Sequence, residues 1–297
     1  MTRRFEVSRA TCGAGGIRDI LQRQLTAAVN ELPRGKAGDE EIHRARKRMK
    51  AARATLRLLR PLLGEAAYRR ENALLRDAGR ALSAARDDTV LVQTLAELAG
   101  KTRGPRKQQD LAEFQAQLRR DAGRRRVALE QRGLRQSAAR LRTALDMIER
   151  WRAPPADWEP VYRSLRESYR KGRRCARSNA RCADGATLHE WRKRAKYLRS
   201  QLEVIAPVQH ASVEAMTAQL HKLADHLGDE HDLAVLAGLA QRRRAHLGRK
   251  AQAALQKRID RKRRALCKRA LRVGLPLYAE KPAHFSARLK HYFREWS

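Results

Sequence analysis

A chain of 297 residues with 67 Lys+Arg against 32 Asp+Glu carries a formal net charge of +35. Self-repulsion of that size weakens a compact state and draws in polyanions, so the expected partner is a nucleic acid, an anionic membrane or another phosphate polymer. With 42% hydrophobic residues the chain is not a disordered polycation, and its length suits one large or two medium domains.

Aromatics make up only 5%, so the core has to be built from Leu, Ala, Val and Ile, and the long Ala/Leu/Arg/Glu/Gln stretches favour helix over strand. An all-α protein is expected. Hydrophobic periodicity predicts helices over Gly16–Leu32, Asp39–Leu63, Glu65–Leu82, Asp87–Ala99, Arg106–Asp121 and Arg124–Trp151. Pro33, Gly35 and Gly38 separate the first two, Pro61 and Gly64 close the second, and Gly100, Gly104 and Pro105 mark a loop. Ala153-Pro154-Pro155-Ala156-Asp157 reads as a linker near the midpoint, dividing the chain into a first bundle, residues 1–152, and a second, residues 153–297. Helices then follow over Trp158–Arg174, Thr187–Ile205, Val213–Leu227, Asp229–Leu247, Arg249–Leu271 and Ala283–Trp296.

The most apolar stretch, Val90–Ala99, is interrupted by Gln93 and Glu97 and falls far short of the roughly 20 residues that cross a bilayer. The N-terminal Met1-Thr2-Arg3-Arg4-Phe5-Glu6-Val7 lacks the apolar run of a secretory signal, so a cytoplasmic location is expected. Cys12, Cys175, Cys182 and Cys267 form no Cys-x-x-Cys pair, which predicts reduced thiols and no zinc site.

The midpoint linker prompts a comparison of the halves, and a repeat is present. His43-Arg44-Ala45-Arg46-Lys47-Arg48-Met49-Lys50-Ala51-Ala52-Arg53 aligns without a gap on His189-Glu190-Trp191-Arg192-Lys193-Arg194-Ala195-Lys196-Tyr197-Leu198-Arg199. A weaker match follows in the same order, Leu82 to Leu91 on Leu227 to Leu236.

At about 100° per residue, with His43 as zero, Arg46, Lys47, Lys50, Arg53 and Arg57 share its arc of about 120°. Ala45, Met49, Ala52, Leu56, Leu59 and Leu63 occupy the far side, so one stripe packs inward and the other faces out. From His189 the same arithmetic groups Arg192, Lys193, Lys196 and Arg199, backed by Leu188, Trp191, Ala195, Leu198, Leu202 and Ile205. Like charges at these spacings repel by a few tenths of a kcal/mol per pair, so helix stability does not recommend them. In so basic a chain one such stripe is an ordinary solvated face, whereas two copies with one spacing point to a ligand that neutralises them. The histidines sit where a phosphate oxygen accepts their N–H and favours the imidazolium form.

In these residues the sequence resembles the CHAD family, the conserved histidine α-helical domain. The resemblance rests on Ile42-His43-Arg44-Ala45-Arg46 with the basic, Leu-rich run to Leu63, and on Leu188-His189-Glu190-Trp191-Arg192 with the run to Arg199. It takes in Ala85-Arg86-Asp87, Tyr169-Arg170-Lys171-Gly172-Arg173-Arg174 and Leu227-Gly228-Asp229-Glu230-His231-Asp232-Leu233, covering about Gly16 to Trp296. It implies two pseudo-symmetric antiparallel helical bundles whose basic faces enclose a cleft or pore, binding of inorganic polyphosphate, and association with polyphosphate granules. His43, Arg46, Lys50 and Arg53 carry over from the first motif and His189, Arg192, Lys193, Lys196 and Arg199 from the second, with Arg170, Arg173 and Arg174 from the helix before it. Ala51 and Glu203 depart from the family's basic pattern.

The pairs Arg86-Asp87 and His231-Asp232 suggest acid/base chemistry only superficially, because neighbours on a helix do not face each other. His221, His226 and His231 recur at a spacing of five, poor for metal ligands on one face. Neither a Glu-x-Glu-x-Lys strand pattern nor a Walker loop occurs, so a binding protein without catalytic residues, cofactor or metal is expected. The alternative is sequence-independent RNA or DNA binding through phosphates; the arcs around His43 and His189 hold no Phe, Tyr or Trp for base stacking. A membrane-surface adaptor would need interfacial aromatics that these helices lack, and no membrane partner is expected.

Overall fold

Apolar residues that recur every three to four positions need a partner surface for each helix, and in this chain helices supply it for one another. The computed structural model describes residues 13–32, 38–100, 102–128, 132–152, 157–180, 185–206, 211–243 and 247–296, and among them the chain is all-α. The helices are α1 (Gly13–Asn30), α2 (Asp39–Leu58), α3 (Arg60–Leu63), α4 (Glu65–Ala81), α5 (Ser83–Ala99) and α6 (Pro105–Ala128). Then come α7 (Leu134–Arg150), α8 (Glu159–Ser178), α9 (Gly185–Val204), α10 (Ala211–Arg242), α11 (Arg249–Leu277) and α12 (Pro282–Trp296). The predicted breaks at residues 33–37 and the linker at 153–156 lie outside the described residues, as does the N-terminal segment 1–12.

Several boundaries differ from the periodicity reading: α5 starts at Ser83 rather than Asp87, and the break expected between Asp121 and Arg124 is absent, since α6 runs on to Ala128 and the next helix starts at Leu134. The helix expected over Asp39–Leu63 ends at Leu58 and restarts as α3, where Pro61 sits in the first turn and has no N–H to extend the earlier ladder. Conversely, the two helices expected on either side of Gly228 are one, α10, whose 32 residues span about 48 Å. A mid-helix glycine costs only about 1 kcal/mol, and burial of Leu220, Leu223, Leu227, Leu233 and Leu236 outweighs it. The helix expected to end at Leu271 runs on to Leu277 as α11.

The buried residues form two clusters. The larger draws on α1, α2, α4, α7, α8, α9 and α12 with the first half of α10 and the end of α11. The smaller joins Leu91, Leu95 and Leu98 of α5 and Leu111, Phe114 and Leu118 of α6 to Leu233, Leu236 and Ala240 of α10 and Ala251, Leu255 and Ile259 of α11. Thus α10 and α11 pass through both clusters. α1 packs on α2 and on α7, while α8 packs on α9 and on α12.

Both apolar stripes behind the basic faces are inward, with Ala45, Met49, Ala52 and Leu56 of α2 and Trp191, Ala195, Leu198 and Leu202 of α9 almost fully buried. Trp191 presses so close to α11 that a Cβ on Gly274 would stand 2.3 Å from its ring, and a Cβ on Gly172 would stand 2.5 Å from Tyr278. Glycine at these two positions sets how near α11 comes to α9 and α8.

Among the described residues no helix is long and apolar enough to cross a membrane. Cys175 is a free thiol, but Cys267 is disulfide-bonded, which corrects the expectation of reduced thiols throughout.

Candidate polyanion site between α2 and α9

α2 and α9 pack against each other, bringing together two basic faces from distant parts of the chain. A cavity of about 330 Å³ lies there, lined by Arg46, Lys50 and Arg53 of α2, Arg76 and Arg80 of α4, and His189, Lys193 and Tyr197 of α9. Among the described residues its lining contains no carboxylate. Tyr197 also lines a larger cavity, of about 630 Å³, together with Arg57, Arg60, Arg163, Arg166, Arg170, Lys171 and Arg194. Glu65 and Glu167 are the acids of that lining.

The arginines are held in different ways. Arg53 Nε donates to Asn72 Oδ1 at 3.1 Å, which aims it across from α2 to α4. Arg57 Nε donates to Tyr68 Oη at 3.1 Å while its guanidinium lies 3.9 Å from the centroid of Tyr197. Burial pulls the Arg57 pKa below its ordinary value, partly offset by Tyr68 and Tyr197. Its buried Nη1 meets no acceptor among the described residues. An unanswered buried donor costs about 1–3 kcal/mol. Arg170 pairs with Glu167 at 2.7 Å and Lys171 with the same carboxylate at 3.1 Å.

On α9 the predicted stripe divides. His189 and Lys193 face α2 and α4, with Lys193 and Arg194 both ion-paired to Glu190. Arg192 instead lies over Gly228 of α10, where a Cβ would stand 3.5 Å from its Nε. Arg199 also leans to α10, meeting His221 Nδ1 at 2.9 Å and Glu203 at 3.1 Å. Half-buried Lys196 lies between these groups and α2. Desolvation, then Arg192, Lys50 and Arg199, push its pKa down to about 7 against the opposing pull of Asp225.

His189 Nδ1 lies 3.2 Å from His231 Nδ1, with the rings 4.2 Å apart, so one nitrogen must donate and the other accept. Burial, then Lys193 and Arg192, lower the His189 pKa. In the free protein His189 is thus biased to neutrality, opposite to the imidazolium expected for the occupied site.

Other expected residues lie elsewhere. His43 and Lys47 are exposed on α2 and line neither cavity. Arg173 turns away entirely: its Nε donates to Tyr278 O at 3.1 Å and its Nη2 to Ala279 O at 3.4 Å, closing the C-terminus of α11. Arg174 is exposed further along α8. The side chains of Arg86 and Asp87 lie outside what the structure describes. Among the described residues no group of three or more His, Cys, Asp or Glu is placed to hold a metal ion.

Sequence reasoning missed Arg76 and Arg80, whose spacing of four on α4 was a usable signal, and Tyr197, which falls about 80° from His189 and just outside the arc. Arg163 and Arg166 on α8 were missed too.

The fold is all-helical among the described residues, and it brings cations from remote helices to face a common space. The model of the CHAD domain matches residues 19–241, well over half the chain, and the chain belongs to that family. The crystal structure of the CHAD domain from the plant Ricinus communis resembles it with a TM-score of 0.54 at 19% identity, covering 89% of each chain, a likeness of fold. No curated protein matches the chain.

Proposed function

We propose that the protein binds inorganic polyphosphate in a cleft formed by the two cavities that meet at Tyr197, holding the polymer without a chemical step. The observation that carries this reading is that Arg46, Lys50 and Arg53 adjoin His189 and Lys193 around a space that no carboxylate among the described residues lines. Packing of α1 on α2 and of α8 on α9 supports reading the halves as related bundles. The polymer exchanges its condensed counterions for these cations; arginines grip phosphate oxygens with paired N–H groups and lysines act as point charges. Arg57 covers the nearby face of Tyr197, which disfavours base stacking there and hence single-stranded RNA. Cytoplasmic polyphosphate granules are the corresponding setting.

The test is thermal stability at near-physiological salt with polyphosphate, RNA or heparin at equal anionic charge, for the wild type and Arg57→Gln. A ligand that binds only the folded state raises Tm by mass action. Polyphosphate is expected to act at far lower concentration than the others and to lose potency in the variant. Equal potency of all three replaces this reading with general polyanion binding.

A further inference from the structure

α11 carries a basic face that the α2/α9 cleft does not use. Lys257, Arg261, Arg264, Lys268 and Arg272 share an arc of about 80° and run for about 22 Å along the helix. All five are exposed, and none forms an ion pair with a described residue. Beside this face lies a cavity of about 880 Å³, lined by Arg103, Lys107, Arg258, Arg261 and Lys262 with Glu97 as the acid of its lining. Two of these cations are committed to the fold: Arg258 Nη1 donates to Leu98 O at 2.9 Å and Lys262 pairs with Glu97 at 3.2 Å. Arg103, Lys107 and Arg261 have no such anchor among the described residues.

Among the described residues the outer cavity shares no lining residue with the two at α2 and α9. Carboxylates of α10 lie between. Asp225 acts on Lys196 of the cleft, Asp229 on Lys262 of the outer cavity, and Glu230 is buried against Arg263 at 2.7 Å. These carboxylates offset part of the positive charge on the α10 side of each cavity.

We infer that the cavity beside Arg103, Lys107 and Arg261, continued by the α11 stripe, is a second site for inorganic polyphosphate, so that one protein holds two segments of a chain or links two chains. The inference rests on the polyphosphate reading of the cleft. Among the described residues no aromatic side chain lines the outer cavity, and none lies in the α11 arc, so recognition there is of phosphate charge alone. A polymer long enough to reach both sites binds the second at raised effective concentration, gaining about a hundredfold or more over a short one.

Stoichiometry of a short polyphosphate, measured by calorimetry at near-physiological salt, tests this in three proteins. Two chains are expected per wild-type molecule. An outer variant, Arg103→Gln with Lys107→Gln, Arg261→Gln and Arg264→Gln, should bind one, as should a cleft variant, Arg46→Gln with Lys50→Gln and Lys193→Gln. Unchanged melting and helicity confirm that each variant folds. Long polyphosphate should cross-link the wild type, seen as turbidity, and neither variant. A wild type that binds one chain, with the outer variant indistinguishable from it, overturns the second site. If instead the cleft variant keeps full binding while the outer variant loses it, the cleft reading fails and the outer site stands. RNA of equal phosphate content displacing polyphosphate from the cleft variant overturns the choice of ligand.

Discussion

α2 and α9 carry the same ordered set of basic residues, yet their faces are in different physical states. Lys50 on α2 is exposed beside a cavity, whereas Lys196, its aligned partner on α9, is half-buried among Arg192, Arg199 and Lys50 and titrates near pH 7. The difference comes from α10, which packs along α9 and removes water from one flank of its stripe. Equal motifs therefore give unequal faces: α2 presents charges that are already solvated, whereas on α9 Lys196 is held partly out of water among like charges, which an anion in the proposed cleft would relieve. A site of this kind trades stability of the free protein for response to ligand.

The largest expected effect comes from reversing both central lysines. Lys50→Glu with Lys196→Glu should weaken polyphosphate binding at least a hundredfold at near-physiological salt while the protein stays folded, as titration calorimetry and a melt would show. Unchanged affinity would remove the α2/α9 cleft as the binding site.

Next, Gly274→Ala drives a methyl group into Trp191 and should cost about 1–3 kcal/mol, measured by denaturant unfolding. No such close approach backs α2 among the described glycines, so the cost should fall on the α9 side.

Lys196→Met should then separate stability from function, raising Tm by a few degrees and weakening polyphosphate about tenfold. Removal of a half-buried like charge is worth on the order of 1 kcal/mol after solvent screening, or about 2 °C in a protein of this size. Lys50→Met should weaken binding without the gain in Tm, and equal melting shifts for the two variants would break the contrast.

The pH dependence follows from the same lysine. Its folded pKa of about 7 lies below the ordinary lysine value of 10.5, so the folded state loses the proton first and stability rises with pH across that interval. Bound phosphate pulls the pKa back up, so binding takes up a proton and affinity falls as pH climbs above about 7. Calorimetry in buffers of different ionisation heat should detect that proton, and Lys196→Arg should reduce the uptake to what His189 contributes; a flat profile in the wild type counts against the buried charge. The smallest effect on binding belongs to Arg173→Ala, which should leave polyphosphate affinity unchanged and cost about 1 kcal/mol through lost bonds to the α11 terminus.

Much of the scaffold was legible because helix formation and burial follow local period. The stripe from Ala45 to Leu56 and the one from Leu188 to Leu202 are buried as their spacing predicts. Placement of the cations was legible only as an angle about each helix's own axis. The family resemblance named Arg173 but could not say that the end of α11 sits there to receive it. The angle placed Arg192 and Arg199 with Lys196 but not the helix they lean on, and it left out Tyr197 at the edge of the arc although both cavities meet at that ring. The same limit hid Arg76 and Arg80, whose contribution depends on α4 lying beside α2.

By itself the sequence determined the helices, their apolar and basic faces and the doubling of one basic motif, since these depend on propensity and on spacing along one segment. Only the tertiary structure decided which cations share a cavity, which close a helix end and which lysine loses its proton near neutrality. Those outcomes depend on separations between groups far apart in the chain and on the water that neighbouring helices exclude, and Coulomb energy changes steeply with both.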